Sequence, residues 1–238
     1  MDYRLKNGNA VIVVSDVGAT IKMFQIDGEN IFFPYFVGKD KKARGGCPIC
    51  SPYFGLMQEF NEKRHGYLRD IKATNIVERG PNAMEFVFNF SGTSKYPWSL
   101  FHEVRVETMR RGLFLRLTIV RLDDGLFDLA YVNPGFHPYF SGWAEDARVT
   151  SGSGEYSGFY ESAKIFATGS SALVIENSKK RIAMKLEGDF SPKKSHAVLW
   201  SDAPEKYFCV EPIFTDPKNG MRLGMGESVE ISMNISLF

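Results

Sequence analysis

Apolar and polar residues alternate with a period of two through much of the chain. The clearest run is at the C-terminal end, where every second residue is apolar: Val229, Ile231, Met233, Ile235 and Leu237. The same alternation occurs in the segments 84–90, 101–109, 113–120 and 181–187. Because successive side chains of a β-strand point to opposite faces of a sheet, this pattern predicts strands with one buried face.

Short β-branched runs predict further strands near the N-terminus. The segments 10–15 and 19–26 are separated by a turn-forming stretch, and the second is closed by Asp27-Gly28. The aromatic-rich segment 31–36 is a third candidate strand. It is followed at 38–46 by lysines and glycines, which predict a surface loop.

The distribution of turn signals indicates the fold class. No segment has the periodicity of an amphipathic helix, and the predicted strands are separated by turn-forming residues: Gly80-Pro81-Asn82, Asp123-Asp124-Gly125, Asn219-Gly220 and Gly224-Met225-Gly226. This arrangement predicts an all-β protein, a large antiparallel β-sandwich. No Pro/Ser-rich linker or charged block divides the 238 residues, so we expect a single domain over 1–238.

Charge and hydropathy exclude several classes of partner. The 29 Lys and Arg residues are balanced by 28 Asp and Glu residues, giving a net charge of +1. Such a balance lacks the basic stripe that binds nucleic acid or an anionic membrane. No export signal or membrane-spanning apolar segment is found, which predicts a soluble cytoplasmic protein. The pattern carries no prediction of oligomeric state.

The chain has three cysteines, an odd number that argues against a disulfide framework and favours reduced thiols. Cys47 and Cys50 form a C-x-x-C motif, which occurs in redox sites and as half of a zinc site. No second C-x-x-C and no βαβ pattern accompanies it, and Cys209 stands alone. Neither a redox nor a metal function is therefore favoured by this motif.

Two separated residues are candidates for acid–base chemistry. His137 lies in the sequence Asn-Pro-Gly-Phe-His-Pro-Tyr-Phe, where prolines and aromatic rings restrict its imidazole. Glu211 ends an apolar run and precedes Pro212. We expect Glu211 to act as a base facing His137 as an acid. The alternatives are a buried structural histidine and an ordinary ion-pairing glutamate. His65, in the segment 64–70, is either structural or a site residue.

Four segments resemble the galactose mutarotase-like superfamily, the aldose 1-epimerases, and within it the glucose-6-phosphate 1-epimerase branch. They are Arg44-Gly-Gly-Cys-Pro-Ile-Cys-Ser-Pro-Tyr-Phe-Gly55, His65-Gly-Tyr-Leu-Arg69, Gly135-Phe-His-Pro-Tyr-Phe140 and Cys209-Val-Glu-Pro212. The resemblance extends from about residue 10 to the C-terminus. It implies a β-supersandwich whose concave face binds a hexose and interconverts its α and β anomers without a metal or organic cofactor.

The resemblance also implies roles for individual residues. His137 matches the general acid of the family and Glu211 its general base, and His65 matches a histidine that contacts the sugar. Arg44 and Arg69 match basic positions associated with sugar or phosphate binding. A permanently charged guanidinium suits phosphate oxygens better than neutral hydroxyls, so these arginines favour a phosphosugar.

At some positions the chain departs from the family. Trp98 stands where the phosphohexose branch tends to have histidine, and it is either a core residue or a platform for a sugar ring. Phe136 replaces a smaller residue. The acidic residue that the family places on the sugar has no clear match, with Asp146 and Glu155 as candidates.

These observations lead to one expected function and two rivals. We expect a cofactor-independent hexose 1-epimerase, acting on a hexose phosphate. At pH 7 a carboxylate near its reference pKa is ionised and an imidazole can be poised near neutrality, so both groups can begin in the required states. The first rival is a carbohydrate-binding protein without turnover. A hydrolase or lyase is less favoured because no glycosidase-like acid pair is found.

Overall fold

A computed structural model describes residues 1–55, 63–122, 129–142, 144–158, 162–191, 193–216 and 218–238. These residues form strands and connecting turns, with a single turn of 3₁₀-helix at Leu68–Asp70. The predicted all-β class is confirmed. Within these ranges no helix is long and apolar enough to cross a membrane.

In chain order the strands are β1 (Asp2–Asn7), β2 (Ala10–Ser15), β3 (Ile21–Ile26), β4 (Glu29–Asn30), β5 (Phe36–Val37), β6 (Ala43–Arg44), β7 (Ile49–Cys50), β8 (Asn75–Glu78), β9 (Ala83–Phe90), β10 (Leu100–Met109), β11 (Gly112–Arg121), β12 (Ala130–Val132), β13 (Gly135–Phe136), β14 (Tyr139–Ser141), β15 (Arg148–Ser151), β16 (Gly154–Ser157), β17 (Lys164–Ala167), β18 (Ala172–Glu176), β19 (Arg181–Gly188), β20 (His196–Trp200), β21 (Tyr207–Ile213), β22 (Met221–Leu223) and β23 (Ser228–Leu237).

Antiparallel pairing joins these strands into sheets. The largest has nine strands in the order β16-β15-β18-β19-β23-β11-β10-β9-β8. A six-stranded sheet has the order β17-β20-β21-β13-β7, with β14 also paired to β21. A four-stranded sheet contains β1 to β4 in sequence order, and β5-β6 and β12-β22 form small ribbons.

The alternating segments of the sequence form the long central strands of the nine-stranded sheet. In β10 the even-numbered residues are buried and their neighbours are partly exposed. Val104 and Val106 thus enter the core, whereas Arg105 lies on the outer face with Arg116 of β11. One apolar cluster connects the inner faces of the four-, six- and nine-stranded sheets, as expected for packed β layers.

The expected strand over 31–36 is wrong as a continuous element. Phe32 makes an isolated bridge to Phe140, and the regular pairing resumes only at β5. The physical reason is that consecutive amides bond to different partners: Phe32 donates to the Phe24 carbonyl, and Phe33 donates to the Tyr139 carbonyl. Pro34 follows and has no N–H to donate. The segment therefore does not form a continuous ladder of hydrogen bonds with any one neighbouring strand.

Two other expectations near the N-terminus need correction. The strand expected over 19–26 begins only at Ile21, because Ala19 has a positive φ of 47° that strands do not adopt. The loop expected over 38–46 contains β6, whose Arg44 pairs with Phe36 of β5. The turn expected at Asp123-Asp124-Gly125 lies outside the described residues.

Candidate active site

The register of the six-stranded sheet places His137 opposite Glu211. On either side of the histidine, Gly135 is paired with Ile213 and Tyr139 with Cys209 in the same antiparallel direction. His137 lies in the gap between β13 and β14, where Pro138 supplies no N–H to a ladder. The gap leaves its imidazole facing the carboxylate, with Nε2 and Oε2 3.2 Å apart. The expected pairing of these residues is present.

Rings and a backbone bond hold the imidazole in place. The ring of His137 stacks on Tyr139, with centroids 4.7 Å apart and planes at 7°. Trp200 of β20 stands perpendicular to it at 6.0 Å. The backbone N–H of His137 donates to the Pro48 carbonyl at 3.0 Å, which ties the gap to the chain before β7. The imidazole is therefore oriented by its neighbours rather than by solvent.

His65 contributes a second imidazole to the same place. Its ring meets His137 edge-on at 5.1 Å and Phe54 at 4.9 Å. Its Nδ1 accepts the Gly55 N–H at 3.2 Å, so the remaining hydrogen of the neutral ring is on Nε2. Burial lowers the pKa of His65 to about 3, helped by the positive charge of Arg69, and the ring is a neutral hydrogen-bond donor at pH 7.

The backbone at His65 requires a left-handed turn. His65 has φ +67° and Gly66 has φ +71°. A Cβ on Gly66 would lie 2.2 Å from the Ser51 carbonyl oxygen, so only glycine fits there. The same carbonyl accepts the N–H groups of Tyr67 and Leu68. The segment carrying His65 is thus anchored on Ser51.

The charge states differ from the expectation of a glutamate and a histidine near their reference values. His137 is 6% exposed and Glu211 is 2% exposed. Burial lowers the pKa of His137 well below its usual range, and His65 and Arg69 add to this effect. Burial raises the pKa of the Glu211 carboxyl well above its usual range, partly opposed by Arg64. The environment therefore favours the uncharged form of both groups.

The two predicted arginines occupy different environments. Arg69 lies on the turn of 3₁₀-helix after His65, and its positive charge helps to lower the pKa of His137. Its side chain is 34% exposed, and its Nε is 3.7 Å from Asp70. Arg64 was not selected from the sequence, and its positive charge also lowers the pKa values of His137 and Glu211. Its position immediately before His65 was the available signal.

Arg44 is paired with carboxylates on both sides. It contacts Asp40 at 3.0 Å and Asp202 at 2.7 Å. Asp202 also accepts a hydrogen bond from Tyr207, whose ring lies 5.2 Å from that of Tyr139. Arg44 is thus linked through Asp202 to Tyr207, which packs against the Tyr139 ring that stacks on His137. The positive charge of Arg44 is compensated by the two carboxylates.

The aromatic side chains near the imidazole are not those expected to form a platform. Trp98 is 7% exposed, belongs to the main apolar cluster and packs edge-on against Tyr96 at 4.9 Å. Trp200, which the sequence reasoning missed, flanks His137 instead. Trp200 ends β20 and pairs with Cys209 of β21, the strand that carries Glu211, and this long-range pairing had no local signal in the sequence.

The cysteines are free and buried. Burial raises the pKa of the Cys209 thiol well above its usual range, and the carboxyl of Glu211 adds to the shift. Burial also raises the pKa values of the Cys47 and Cys50 thiols, and the carboxyl of Glu211 adds to both shifts. Thiols in this state are poor nucleophiles.

The acid candidate Glu155 is exposed on β16 and pairs with Arg148, and Asp146 accepts a hydrogen bond from Ser178.

Solved structures with the same arrangement of strands identify the fold. A galactose mutarotase related enzyme from Lactobacillus acidophilus aligns with 100% of this chain and 97% of its own, at 15% identity and a TM-score of 0.79. A galactose mutarotase-like protein from Lactobacillus casei aligns over 100% of both chains, at 16% identity and a TM-score of 0.77. The chain has the galactose mutarotase-like fold.

A third solved structure with this galactose mutarotase-like fold is a galactose 1-epimerase from Lactobacillus acidophilus NCFM. It aligns with 100% of this chain and 94% of its own, at 14% identity and a TM-score of 0.71. The sequence matches no protein-family profile and no curated protein with which it was compared. At such low identity the similarity establishes the β-sandwich of these proteins, and the chemistry has to be argued from the side chains.

Proposed function

We propose that the protein is a hexose 1-epimerase that uses Glu211 as base and His137 as acid. The observation that carries this proposal is the 3.2 Å approach of Nε2 to Oε2 within a buried, aromatic-lined site. Ring opening of a pyranose requires proton removal from the C1 hydroxyl and proton delivery to the ring oxygen. These two oxygens share one carbon, so adjacent acid and base groups suit them.

The proposed reaction begins when the proton that burial keeps on Glu211 in the resting site moves across the 3.2 Å contact to His137. The Glu211 carboxylate takes the proton of the C1 hydroxyl, and the His137 imidazolium gives its proton to the ring oxygen. The bond between C1 and the ring oxygen breaks, its electron pair stays on the ring oxygen, and C1 becomes an aldehyde. Rotation about the C1–C2 bond followed by the reverse transfers gives the other anomer.

Burial supports this sequence because it lowers the cost of the open-chain state. When the ring is open, Glu211 is a neutral carboxylic acid and His137 a neutral imidazole. These are the forms that desolvation favours at both residues. Relative to the ion pair, burial therefore favours the transfer of both protons to and from the sugar, and acid–base catalysis of this type contributes on the order of 10²- to 10⁴-fold for each group.

His65 and the aromatic rings are proposed to hold the sugar. The neutral His65 has its hydrogen on Nε2 and is suited to donate to a sugar oxygen. Phe54 and Trp200 lie beside His137 and offer apolar surfaces to the faces of a hexose ring. Trp98 is assigned to the core because it belongs to the main apolar cluster.

A hexose phosphate is the proposed substrate. Arg69 and Arg64 bring positive charge to the site, and a guanidinium binds phosphate oxygens through charge-assisted hydrogen bonds. Arg44 is a weaker candidate because Asp40 and Asp202 already occupy its donors. We assign phosphate binding to Arg69 and keep Arg44 as a support for the ring beneath His137. We also place this activity in the cytoplasm, whose reducing conditions suit the buried free thiols.

A binding protein without turnover is the second candidate. Its support is the direct contact of Glu211 and His137, because a pair engaged with itself leaves its acid and base groups less available to a sugar. Binding of a hexose at Phe54 and Trp200 would then proceed without proton transfer. The two candidates differ in turnover, which is directly measurable.

Anomer exchange measured by NMR tests the proposal. Glucose 6-phosphate, glucose and galactose are compared at equal concentration with wild-type protein and with Glu211→Gln, His137→Asn and the exposed control Glu155→Gln. We expect acceleration for the phosphosugar that falls at least about 100-fold in the first two variants and persists in the control. Saturable sugar binding without any acceleration would favour the binding protein instead.

A further inference from the structure

The proposed acid and base lie beside a third potential ligand, the thiol of Cys209. One donor atom from each of His137, Cys209 and Glu211 lies within 4.8 Å of the others, and the side chains are buried. Among the described residues it is the only group of three or more such side chains close enough to share a metal ion. It combines sulfur, nitrogen and oxygen donors on two neighbouring strands.

We propose that these three side chains bind a thiophilic divalent cation such as Zn²⁺, and that the bound ion blocks anomer exchange. Binding itself is independent of the proposed function, but the inhibition rests on it. The ion would occupy Nε2 and the carboxylate oxygen that the reaction uses for proton transfer. The protein would thus be a cofactor-free enzyme with a built-in site for inhibition by zinc.

The strand geometry makes the three donors converge. Cys209 and Glu211 are two residues apart on β21 and therefore project from the same face of the strand. His137 faces Glu211 across the gap between β13 and β14. Tetrahedral zinc holds its ligands at about 2.0 to 2.3 Å, which places pairs of ligand atoms on the order of 3.5 Å apart. Donor atoms that now lie up to 4.8 Å apart would come together through side-chain torsions when the ion binds.

The ligand set selects the kind of metal ion. A thiolate with an imidazole favours Zn²⁺, Cd²⁺ and Co²⁺ and disfavours Mg²⁺ and Ca²⁺, which prefer oxygen ligands. The thiol proton of Cys209 and the proton shared by Glu211 and His137 leave to solvent when the three side chains coordinate the ion. Three protein ligands leave one tetrahedral position open for water.

The cysteine pair of the C-x-x-C motif is not the half-site in this proposal. Cys50 is buried and free, yet it is not a member of the converging group. It carries the same thiol in a similarly buried position on β7. Cys50→Ala is therefore a matched control for Cys209→Ala, since each variant removes one buried thiol.

Cobalt binding to the reduced full-length protein tests the site without any need for turnover. Co²⁺ alone is titrated into wild type, Cys209→Ala, Cys209→Ser and Cys50→Ala, and the near-ultraviolet thiolate-to-cobalt absorption is recorded. We expect absorption in wild type and Cys50→Ala, and its loss in both Cys209 variants. Circular dichroism confirms that each variant is folded. Zn²⁺ should displace the cobalt, whereas Mg²⁺ should not.

Anomer exchange in the presence of Zn²⁺ gives the second readout. We expect inhibition of wild type and Cys50→Ala, and a midpoint for Cys209→Ala raised more than about tenfold with exchange in the absence of zinc nearly unchanged. Absence of thiolate absorption in folded wild type, or its equal loss in Cys50→Ala, would overturn the proposal. Absorption in a protein that never accelerates anomer exchange would leave the metal site standing and remove the proposed enzyme function.

Discussion

The imidazole of His137 lies flat on the phenol ring of Tyr139, with ring planes at 7° and centroids 4.7 Å apart. The two residues are separated only by Pro138, so in this extended segment their side chains project to the same side and the rings can stack. Stacking then fixes the plane in which Nε2 meets Glu211. The orientation of the proposed acid is therefore set by an aromatic neighbour.

Replacement of Tyr139 tests this orientation. Tyr139→Leu removes the ring and should lower kcat for anomer exchange by about tenfold or more with KM nearly unchanged, because the imidazole loses its fixed plane. Tyr139→Phe keeps the ring and should stay within about threefold of wild type. Steady-state kinetics by NMR or polarimetry provide the measurement. Equal losses of kcat in the two variants would show that the phenol oxygen matters and the stacking does not.

The left-handed turn after His65 gives a second prediction. Gly66→Ala forces a Cβ to within 2.2 Å of the Ser51 carbonyl at φ +71° and should lower the free energy of unfolding by about 3 kcal/mol or more. Gly28→Ala, at φ +82° with nothing within 4 Å, should cost only about 1 kcal/mol. Urea unfolding measures both. A loss at Gly28 equal to that at Gly66 would mean that backbone strain, and not the close approach, sets the cost.

Stability should fall in mild acid because of a buried histidine in the core. His102 is 1% exposed, and its Nε2 lies 3.0 Å from the Ser51 hydroxyl. Burial lowers the pKa of His102 to about 3. The unfolded chain therefore takes up a proton below about pH 6.5 that the folded protein refuses, and stability falls from there toward the folded pKa.

The size of this effect can be isolated by substitution. His102 alone should account for about 2 kcal/mol of lost stability between pH 8 and pH 5. His102→Gln should remove that part of the pH dependence, although its stability at pH 8 is lower. Denaturant unfolding at several pH values decides the matter, and parallel curves for wild type and His102→Gln would refute it.

The two arginines should separate by substrate. Arg69→Met should raise KM for glucose 6-phosphate by about 10- to 100-fold while leaving glucose little affected, because it would remove the proposed charge-assisted hydrogen bond to phosphate. Arg44→Met should impair both sugars to a similar extent, since it disturbs Asp202 and Tyr207 beneath the site. Kinetics on the two sugars with each variant give the comparison. A phosphate-specific loss at Arg44 would reverse the assignment.

The tryptophans should also separate by property. Trp98→Leu should lower the free energy of unfolding by about 3 kcal/mol with little change in KM, because Trp98 belongs to the apolar core. Trp200→Leu should raise KM several-fold with a smaller effect on stability, because the ring stands beside His137. Thermal unfolding and kinetics measure the two effects. If Trp98→Leu changed KM more than stability, the sugar-platform interpretation would be restored.

Much of the fold follows from local sequence patterns. Alternating residues predicted the long strands β9, β10, β11, β19 and β23, whose bounds differ from expectation by one residue at most at either end. Their pattern is clear because one face meets the core and the other meets water. The segment 31–36 failed because its backbone hydrogen bonds go to several partners, which side-chain pattern does not encode.

The site was predictable as residue types and not as an environment. His137 and Glu211 were selected from their local sequences, but their direct contact depends on the pairing of β14 and β13 with β21. The neutralisation of Arg44 depends on Asp202, 158 residues away. The shifted pKa values of His137 and Glu211 arise from burial by several strands. Properties set by contacts between distant segments had no local signal.

The nine-stranded sheet ends, among the described strands, at β8 on one side and β16 on the other. Each of these strands is only four residues long; β8 has the polar residues Asn75 and Glu78 at its ends, and β16 has three polar or small residues out of four. An open sheet edge is a template for pairing with another chain, and short polar strands are a common defence. The ends of this sheet are thus poor nuclei for intermolecular β-aggregation, and a substitution that lengthens β8 or makes β16 apolar would weaken that protection.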